Sequence, residues 1–484
     1  MIVASDWAGK RYAVLGLARS GAATVSALLA GGASVVAWDS DPAKRAALSP
    51  LPFRGGAGGG ASPQTAQPED APHPNPASGR SGSQPDLNRA GRGLPDAPEG
   101  EGLRLVDLDT EDLTGFDALV VSPGVPLNTH PLAAAARAAG VPVIGDIELF
   151  AQARRDLPPN KVVGITGTNG KSTTTALVHH ILKTAGVPTL MGGNIGLPIL
   201  GQEPLPAGGV YVLELSSYQI DLTQSLDCDV AVLLNITPDH LDRYDGFEDY
   251  AASKARLFSM QSAGHNAVVD VVSAADHDAL RGSKDLVASF IEDAFDFKAI
   301  DDREQREWPA LQGPHNRHNA RAAVEVCDIL GLDLDTIRMG LRTYASLPHR
   351  MQHVATRNGV AFVNDSKATN PESTAPALAA FPRVHWIVGG KRKGDDLDAC
   401  SPHLDHVAAA YTIGEAAPLF FDLLKDKVPV VEQSGTLEAA VAHAAAAAQP
   451  GDTVLLSPAC ASFDQFRDYE ARGDAFRAAV EALA

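Results

Sequence analysis

Short, continuous apolar runs alternate along the chain with Ala- and Leu-rich stretches of helical character. Apolar runs without period-two polarity read as strands buried on both faces, as in parallel sheets covered by helices. Strands are expected at 12–15, 34–38 and 119–121, then at 161–163, 210–215 and 230–236. A last group is expected at 360–364, 384–388, 408–413 and 453–456. Helices are expected after Gly21 and after Lys171, over Tyr250–Phe258 and from near His315. The fold class predicted is α/β in three units: a Rossmann-like first unit at 1–145, a central mononucleotide-binding unit with a parallel sheet at 146–346, and a Rossmann-like third unit at 347–484. A chain of 484 residues is too long for one hydrophobic core, which agrees with that division.

One stretch breaks the alternation. Residues 54–102 hold 19 Gly or Pro in 49 positions, with Leu87 and Leu94 as the only large aliphatic side chains. Such a composition buries too little apolar surface to offset chain entropy, so it reads as a disordered insertion in a loop of the first unit.

Composition narrows the functional classes. A formal charge of −19 argues against a general nucleic-acid or anionic-membrane binder, since either needs a basic face. Cys228, Cys327, Cys400 and Cys460 form no Cys-x-x-Cys pair, so neither a disulfide framework nor a zinc site is indicated. With no signal-peptide pattern and no long apolar run, a cytoplasmic location without a membrane span is expected.

The candidate chemistry sits where apolar runs end. Lys161-Val162-Val163 leads into Gly164-Ile165-Thr166-Gly167-Thr168-Asn169-Gly170-Lys171-Ser172-Thr173 and then into a helical stretch. A glycine-rich strand-to-helix turn lets backbone N–H groups approach phosphate oxygens, and a helix N-terminus and a lysine add positive charge. Ser172 or Thr173 would place a hydroxyl on Mg²⁺. The strict phosphate-loop spacing requires glycine at 165, where Ile165 stands, so this is a variant of the loop. Glu214 lies in an apolar run, where an unpaired carboxylate is costly and calls for a cation. The next run leads into Asn235-Ile236-Thr237-Pro238-Asp239-His240-Leu241-Asp242-Arg243-Tyr244. Glu214 and His240 are Mg²⁺ candidates, while Asp242 and Arg243 read equally well as solvated loop charges. In the first unit, Gly16-Leu17-Ala18-Arg19-Ser20-Gly21 with Asp39 approximates a dinucleotide turn, open between NAD, another nucleotide diphosphate and no ligand.

These segments together resemble the Mur ligases, ATP-dependent ligases of peptidoglycan precursor synthesis. The resemblance rests on Gly167–Ser172, Gly193-Asn194-Ile195-Gly196, Leu213–Gln219, Asp239–Tyr244, His315-Asn316 with Asn319, Leu347–Arg350, Asn364–Asn370 and Ser457–Phe466, which span all three units. The insertion at 54–102 departs from the compact first unit expected of this family.

The resemblance implies that ATP phosphorylates the alanyl carboxylate of UDP-MurNAc-L-Ala, that the amine of D-glutamate attacks the acyl phosphate, and that phosphate leaves. It implies catalytic roles for Lys171, His240, Lys254 and Arg350. ATP would be held by Gly167, Thr168, Asn169, Gly170, Lys171, Ser172, Thr173, Asn316, Asn319, Arg350 and Asp365. Leu17, Ala18, Asp39, Ser40, Gly124, Asn194, Ser217 and Gln219 fall where the family holds the UDP substrate, which replaces the NAD reading. D-Glutamate would meet Lys367, Thr369, Lys393, Ser462 and Tyr469, with Lys391 competing with Lys393. Two Mg²⁺ sites are implied, drawing on Ser172, Glu214, His240 and an N-carboxylated Lys254. A monomer is expected. The alternatives are a related ligase adding a diamino acid, a folylpolyglutamate synthase, a nicotinamide-dependent oxidoreductase and a nucleotide-sensing module. The absence of an Asp-Asn-Pro-Arg motif argues against the diamino acid enzyme, and an oxidoreductase leaves Lys171, Glu214, His240 and Arg350 without a role.

Overall fold

The computed structural model describes residues 1–48, 102–237, 243–269, 302–392 and 394–483. The expected insertion, except Gly102, lies outside the described residues, as do His240 and Lys393.

Three sheets follow one another along the chain. The first contains β1 (Arg11–Leu15), β2 (Ser34–Trp38), β3 (Leu103–Leu105), β4 (Ala118–Val121) and β5 (Val143–Ile144) in the order β3-β2-β1-β4-β5, all parallel. Tyr12 to Leu15 and all of β4 are buried, which is why these runs show no alternation. The second contains β6 (Asn160–Thr166), β7 (Thr189–Gly193), β8 (Gly209–Glu214), β9 (Val230–Leu233) and β10 (Asn266–Val269) in the order β10-β9-β6-β8-β7, again parallel. The expected strand at 230–236 ends at Leu233, and Leu234 to Thr237 continue as irregular backbone.

The third sheet departs from the expected all-parallel reading. Its strands are β11 (Gln352–Arg357), β12 (Val360–Asn364), β13 (Val384–Gly389), β14 (Val407–Ile413), β15 (Val431–Gly435) and β16 (Thr453–Leu456), in the order β11-β12-β16-β13-β14-β15. β11 runs antiparallel to β12, joined by a turn at Asn358-Gly359 in which both residues have positive φ. The other pairs are parallel. Edge strands β11 and β15 contain no fully buried residue, so no apolar run announced them. Parallel sheets place ligand-binding loops at strand C-termini. Here those loops carry Gly167–Gly170, Asn194, Asp365–Thr369, Gly390 and Ser457–Ser462.

Candidate active site

The phosphate loop forms because β6 ends at Thr166 and the helix Lys171–Thr184 starts at once. Gly170 takes a left-handed conformation at the helix N-cap, and a Cβ there would overlap Asn319 Oδ1, so this position needs glycine on two counts. Lys171 folds back over the loop, with Nζ donating to the Gly167 and Thr168 carbonyls at 2.8 Å each. Asn235 pins the loop from the irregular segment after β9. Its Oδ1 accepts from Asn169 N at 2.8 Å, its Nδ2 donates to Asn169 O at 3.1 Å, and its carbonyl accepts from Thr168 N at 2.9 Å. Thr168 Oγ1 donates to Thr237 O at 3.1 Å and lies the same distance from Tyr250 Oη.

Glu214 closes β8 and is 2% exposed. Its Oε1 accepts from Asn194 Nδ2 at 3.0 Å, and Asn194 N donates to the Glu214 carbonyl at 2.9 Å. That close approach requires Gly193, where a Cβ would overlap the same carbonyl. Glu214 Oε2 is buried with no hydrogen-bond partner among the described residues. An anionic oxygen left so is costly unless a cation meets it. A carboxylate oxygen and a hydroxyl such as that of Ser172 are the donor types that Mg²⁺ takes. Among the described residues no cluster of three or more His, Cys, Asp or Glu offers a metal site.

Lys254 lies on the helix Phe247–Ser259, 1% exposed, its Nζ donating to Gly167 O at 3.0 Å and lying 4.6 Å from the Tyr250 ring centroid. Tyr250, Lys254 and Phe258, four residues apart and so on one helix face, are all buried.

The third unit reaches into this site. Arg350 Nη2 donates to Ser172 Oγ at 2.9 Å across the boundary between the second and third sheets. Asp365 takes hydrogen bonds from Met351 N at 3.1 Å and Ser457 Oγ at 2.8 Å. Burial nevertheless pushes its carboxyl up to about 7, against the opposing pull of Ser457, Met351 and Arg350. Lys367 Nζ donates to Tyr469 Oη at 3.3 Å and sits 5.0 Å from that ring's centroid. Burial first, then the neighbouring Arg350, brings the Lys367 ammonium down to about 8, with Lys171 adding to the effect and Glu214 and Glu470 opposing it. The charges of Lys171, Glu214, Arg350 and Lys367 thus share one field. The Tyr469 phenol rises to about 12 through burial and Glu470, opposed by Arg350 and by Arg19 of the first unit.

The remaining expected residues fall into separate groups. Asn316 and Asn319, on the helix Pro314–Ile329, bond to each other at 3.2 Å, and Thr174 Oγ1 donates to Asn319 Oδ1 at 3.3 Å, which sets them beside the phosphate loop. Thr173 is half-buried in the first turn of the helix Lys171–Thr184. Leu17, Ala18, Asp39 and Ser40 cluster at the ends of β1 and β2, where Leu17 N donates to Asp39 Oδ2 at 2.7 Å. Burial alone would raise the Asp39 carboxyl, but the Leu17 and Asp41 amides and Lys44 hold it below the usual range. Gly124 lies in the open loop after β4. Gln219 is committed locally: its Oε1 accepts from Ser216 N and Oγ, completing a capping box. Ser217 is buried, and its carbonyl accepts from Ser253 Oγ. Thr369 precedes the helix Pro371–Ala379 capped by Asn370. Ser462 is buried beside Ala461, which exchanges two backbone hydrogen bonds with Lys391. The Lys391 side chain is exposed.

Two residues that position this site escaped the sequence reading. One is Asn235, visible only as one polar residue among several. The other is Arg472, 1% exposed on the helix Tyr469–Glu481, which donates to Ser366 Oγ, Ser366 O, Cys460 O and Ala461 O at 3.0, 2.8, 3.0 and 3.3 Å. Burial lowers its guanidinium to about 10. It braces the loop after β12 against the loop after β16. Arg472→Met is expected to cost about 2–4 kcal/mol in urea unfolding, because it strands buried carbonyls.

Residues 165–327 match the Mur ligase middle domain, and residues 349–460 match the glutamate ligase domain of the Mur ligases. A UDP-N-acetylmuramoylalanine--D-glutamate ligase of Novosphingobium aromaticivorans is 57% identical over 100% of this chain and 97% of its own length. The enzyme of the same name from Zymomonas mobilis is 51% identical over the whole of both chains. Among solved structures, the MurF ligase of Thermotoga maritima in complex with ADP aligns with a TM-score of 0.52 at 15% identity, over 99% of this chain and 97% of that one, which is a likeness of fold. No helix among the described residues is long and apolar enough to cross a membrane. With full-length identities above one half, the chain belongs to the Mur ligase family.

Proposed function

We propose that this chain is an ATP-dependent amide ligase that joins D-glutamate to the alanyl carboxylate of UDP-N-acetylmuramoyl-L-alanine in cytoplasmic peptidoglycan precursor synthesis. The observation that carries the reading is the meeting of the Lys171 loop and the unpartnered Glu214 oxygen with Arg350 and Lys367 from the third unit. The full-length relatives that bear this activity in their names support it.

Joining two anions, a γ-phosphate and a carboxylate, demands positive charge around the transferred group. The loop amides and Lys171 hold the ATP phosphates, with Asn316, Asn319 and Asp365 on the nucleotide. Arg350, already on Ser172, faces the same phosphates. Mg²⁺ bound by Ser172 and Glu214, and a second ion at Lys254 and His240, would neutralise phosphate charge during transfer. Asn194 holds Glu214 in place and so fixes the direction of its free oxygen. The Lys254 amine adds CO₂ and loses a proton to become a carbamate; the N–H that remains still matches the Gly167 carbonyl. The UDP moiety rests on the edge formed by Leu17, Ala18, Asp39 and Ser40, with Gly124, Ser217 and Gln219 on the path to the alanyl carboxylate. The protein acts as a monomer.

Lys367, Thr369, Ser462, Tyr469 and a lysine of the 391–393 loop receive the D-glutamate carboxylates. The Lys367 ammonium titrates near 8, so its attraction for a carboxylate is complete at pH 7 and is lost as pH rises through that value. The KM for D-glutamate is therefore expected to climb above pH ~8, by up to tenfold per unit. Lys367→Met is expected to raise KM at pH 7 by about 30-fold or more, as for loss of one partner of a buried charge pair, and to flatten that rise. A wild-type KM that stays constant from pH 7 to 9.5 would remove Lys367 from the amino-acid site.

A further inference from the structure

The turn that carries Arg350 is held in an unfavourable backbone conformation. His349 and Met351, on either side of Arg350, have φ of 61° and 44°, a region that residues other than glycine rarely enter. Such a turn persists only where its surroundings over-determine it. Hydrogen bonds to its backbone do part of this. Arg350 N donates to Leu347 O at 3.1 Å, Met351 N to Asp365 Oδ1 at 3.1 Å, His349 N to Gln352 Oε1 at 3.0 Å, and Lys367 N to His349 O at 3.0 Å. The His349 side chain does the rest.

His349 is buried and seated on Asn364, the last residue of β12, which is 0% exposed. Backbone groups fix the orientation of the Asn364 amide: Oδ1 accepts from Ser366 N at 3.1 Å, and Nδ2 donates to Gly473 O at 3.0 Å. Nδ2 also lies 3.1 Å from His349 Nδ1, and an amide nitrogen can only donate. Nδ1 therefore accepts. The imidazole is neutral, with its proton on Nε2, which faces Asp474 Oδ1 at 3.8 Å. A second proton, on Nδ1, would meet the Asn364 N–H. Burial likewise holds the imidazolium below its usual range, with Arg477 acting in the same direction and Asp474, Glu470 and Asp468 opposing. Gly473 closes the ring in, since a Cβ there would overlap Nδ1, and Tyr469 meets it edge-on at 6.2 Å between centroids.

We propose that Asn364 is a positioning residue for the transfer step: by fixing the His349 imidazole it fixes the strained turn, and so the direction in which Arg350 reaches the phosphate loop. The inference rests on the reading that Arg350 acts on the transferred phosphate. Arg350 reaches Ser172 Oγ at 2.9 Å from another unit of the chain, and a small rotation of the turn at its base is magnified at the guanidinium. Both ends of the Asn364 amide are taken by the protein, so its part is to support rather than to touch a ligand.

The test is a double-mutant cycle read as kcat/KM for ATP, with UDP-N-acetylmuramoyl-L-alanine, D-glutamate and Mg²⁺ in excess, at a temperature at which each variant is folded. Asn364→Ala is expected to lower kcat/KM by about 10-fold to 100-fold, the loss that a misplacement near 1 Å produces. In an Arg350→Met background the same substitution is expected to cost about threefold or less, because residues that act through one another do not add. A residue that only supports the fold lowers the rate by the same factor in both backgrounds, and that result would overturn the proposal. Should Asn364→Ala fail to fold, Gly473→Ala takes its place in the cycle. Its methyl group displaces the same imidazole, while alanine in itself favours the helix Tyr469–Glu481. Wild-type kcat/KM in Gly473→Ala likewise overturns the proposal. Wild-type turnover in Arg350→Met alone would defeat the role assigned to Arg350, and this inference with it.

Discussion

Lys171→Ala lowers kcat/KM by about 10³-fold or more while leaving the unfolding midpoint nearly unchanged. The catalytic loss follows from geometry. Lys171 is the one full charge at the start of the helix Lys171–Thr184, held over the loop by the Gly167 and Thr168 carbonyls. Loss of one preorganised donor to a developing charge typically costs 10²–10³ in rate, and here a formal charge goes with it. The fold is spared because the loop is held independently by Asn235, Thr237 and Tyr250. Lys171→Arg is expected to recover little, since a planar guanidinium does not place one compact charge between two carbonyls. Steady-state kinetics with a thermal melt checks both halves, and a tenfold loss or less would mean that the phosphates lie elsewhere.

Lys254→Ala is expected to remove most activity, by about 10²-fold or more, and here the pattern of rescue is the informative part. A lysine 1% exposed, bonded to the same Gly167 carbonyl as Lys171, is no surface side chain. If its working form is a carbamate, alanine leaves an anion site vacant. A short-chain carboxylate in the assay then restores part of the rate, whereas bicarbonate, with no amine to modify, restores none. Mass spectrometry under CO₂ adds a direct reading. Wild-type turnover in Lys254→Ala would dismiss the carbamate, and loss of activity without carboxylate rescue would point to a lysine acting as a cation. A deleted packing residue would show instead as a lowered melting temperature, since Lys254 is buried among Tyr250 and Phe258.

How legible the molecule was depended on where each feature sat. Strands buried on both faces announced themselves as apolar runs, and 34–38, 360–364 and 453–456 have the bounds the sequence suggested. The half-exposed edges β11 and β15 carry polar residues such as Gln352, Arg357, Glu432 and Gln433, and no local pattern separates them from loops. The reversed direction of β11 depends on the tight turn at Asn358-Gly359, which is apparent only once a partner strand is assigned. In the site, glycine spacing exposed the phosphate loop because its chemistry is contiguous in sequence. The burial of Glu214 was deducible from one carboxylate inside an apolar run. Arg472 was not legible, because its meaning comes from carbonyls supplied by a distant segment, those of Cys460 and Ala461. Gln219 fell in a matched motif, and that its Oε1 also caps its own helix is a local hydrogen bond that the motif does not announce.

The most direct measurement is phosphate release and product formation from ATP, Mg²⁺ and UDP-N-acetylmuramoyl-L-alanine with D-glutamate, L-glutamate, meso-diaminopimelate, L-lysine or no amino acid. Release coupled to product with D-glutamate alone is the predicted result. Turnover that requires a different amino acid, or no turnover with any of them, would contradict it.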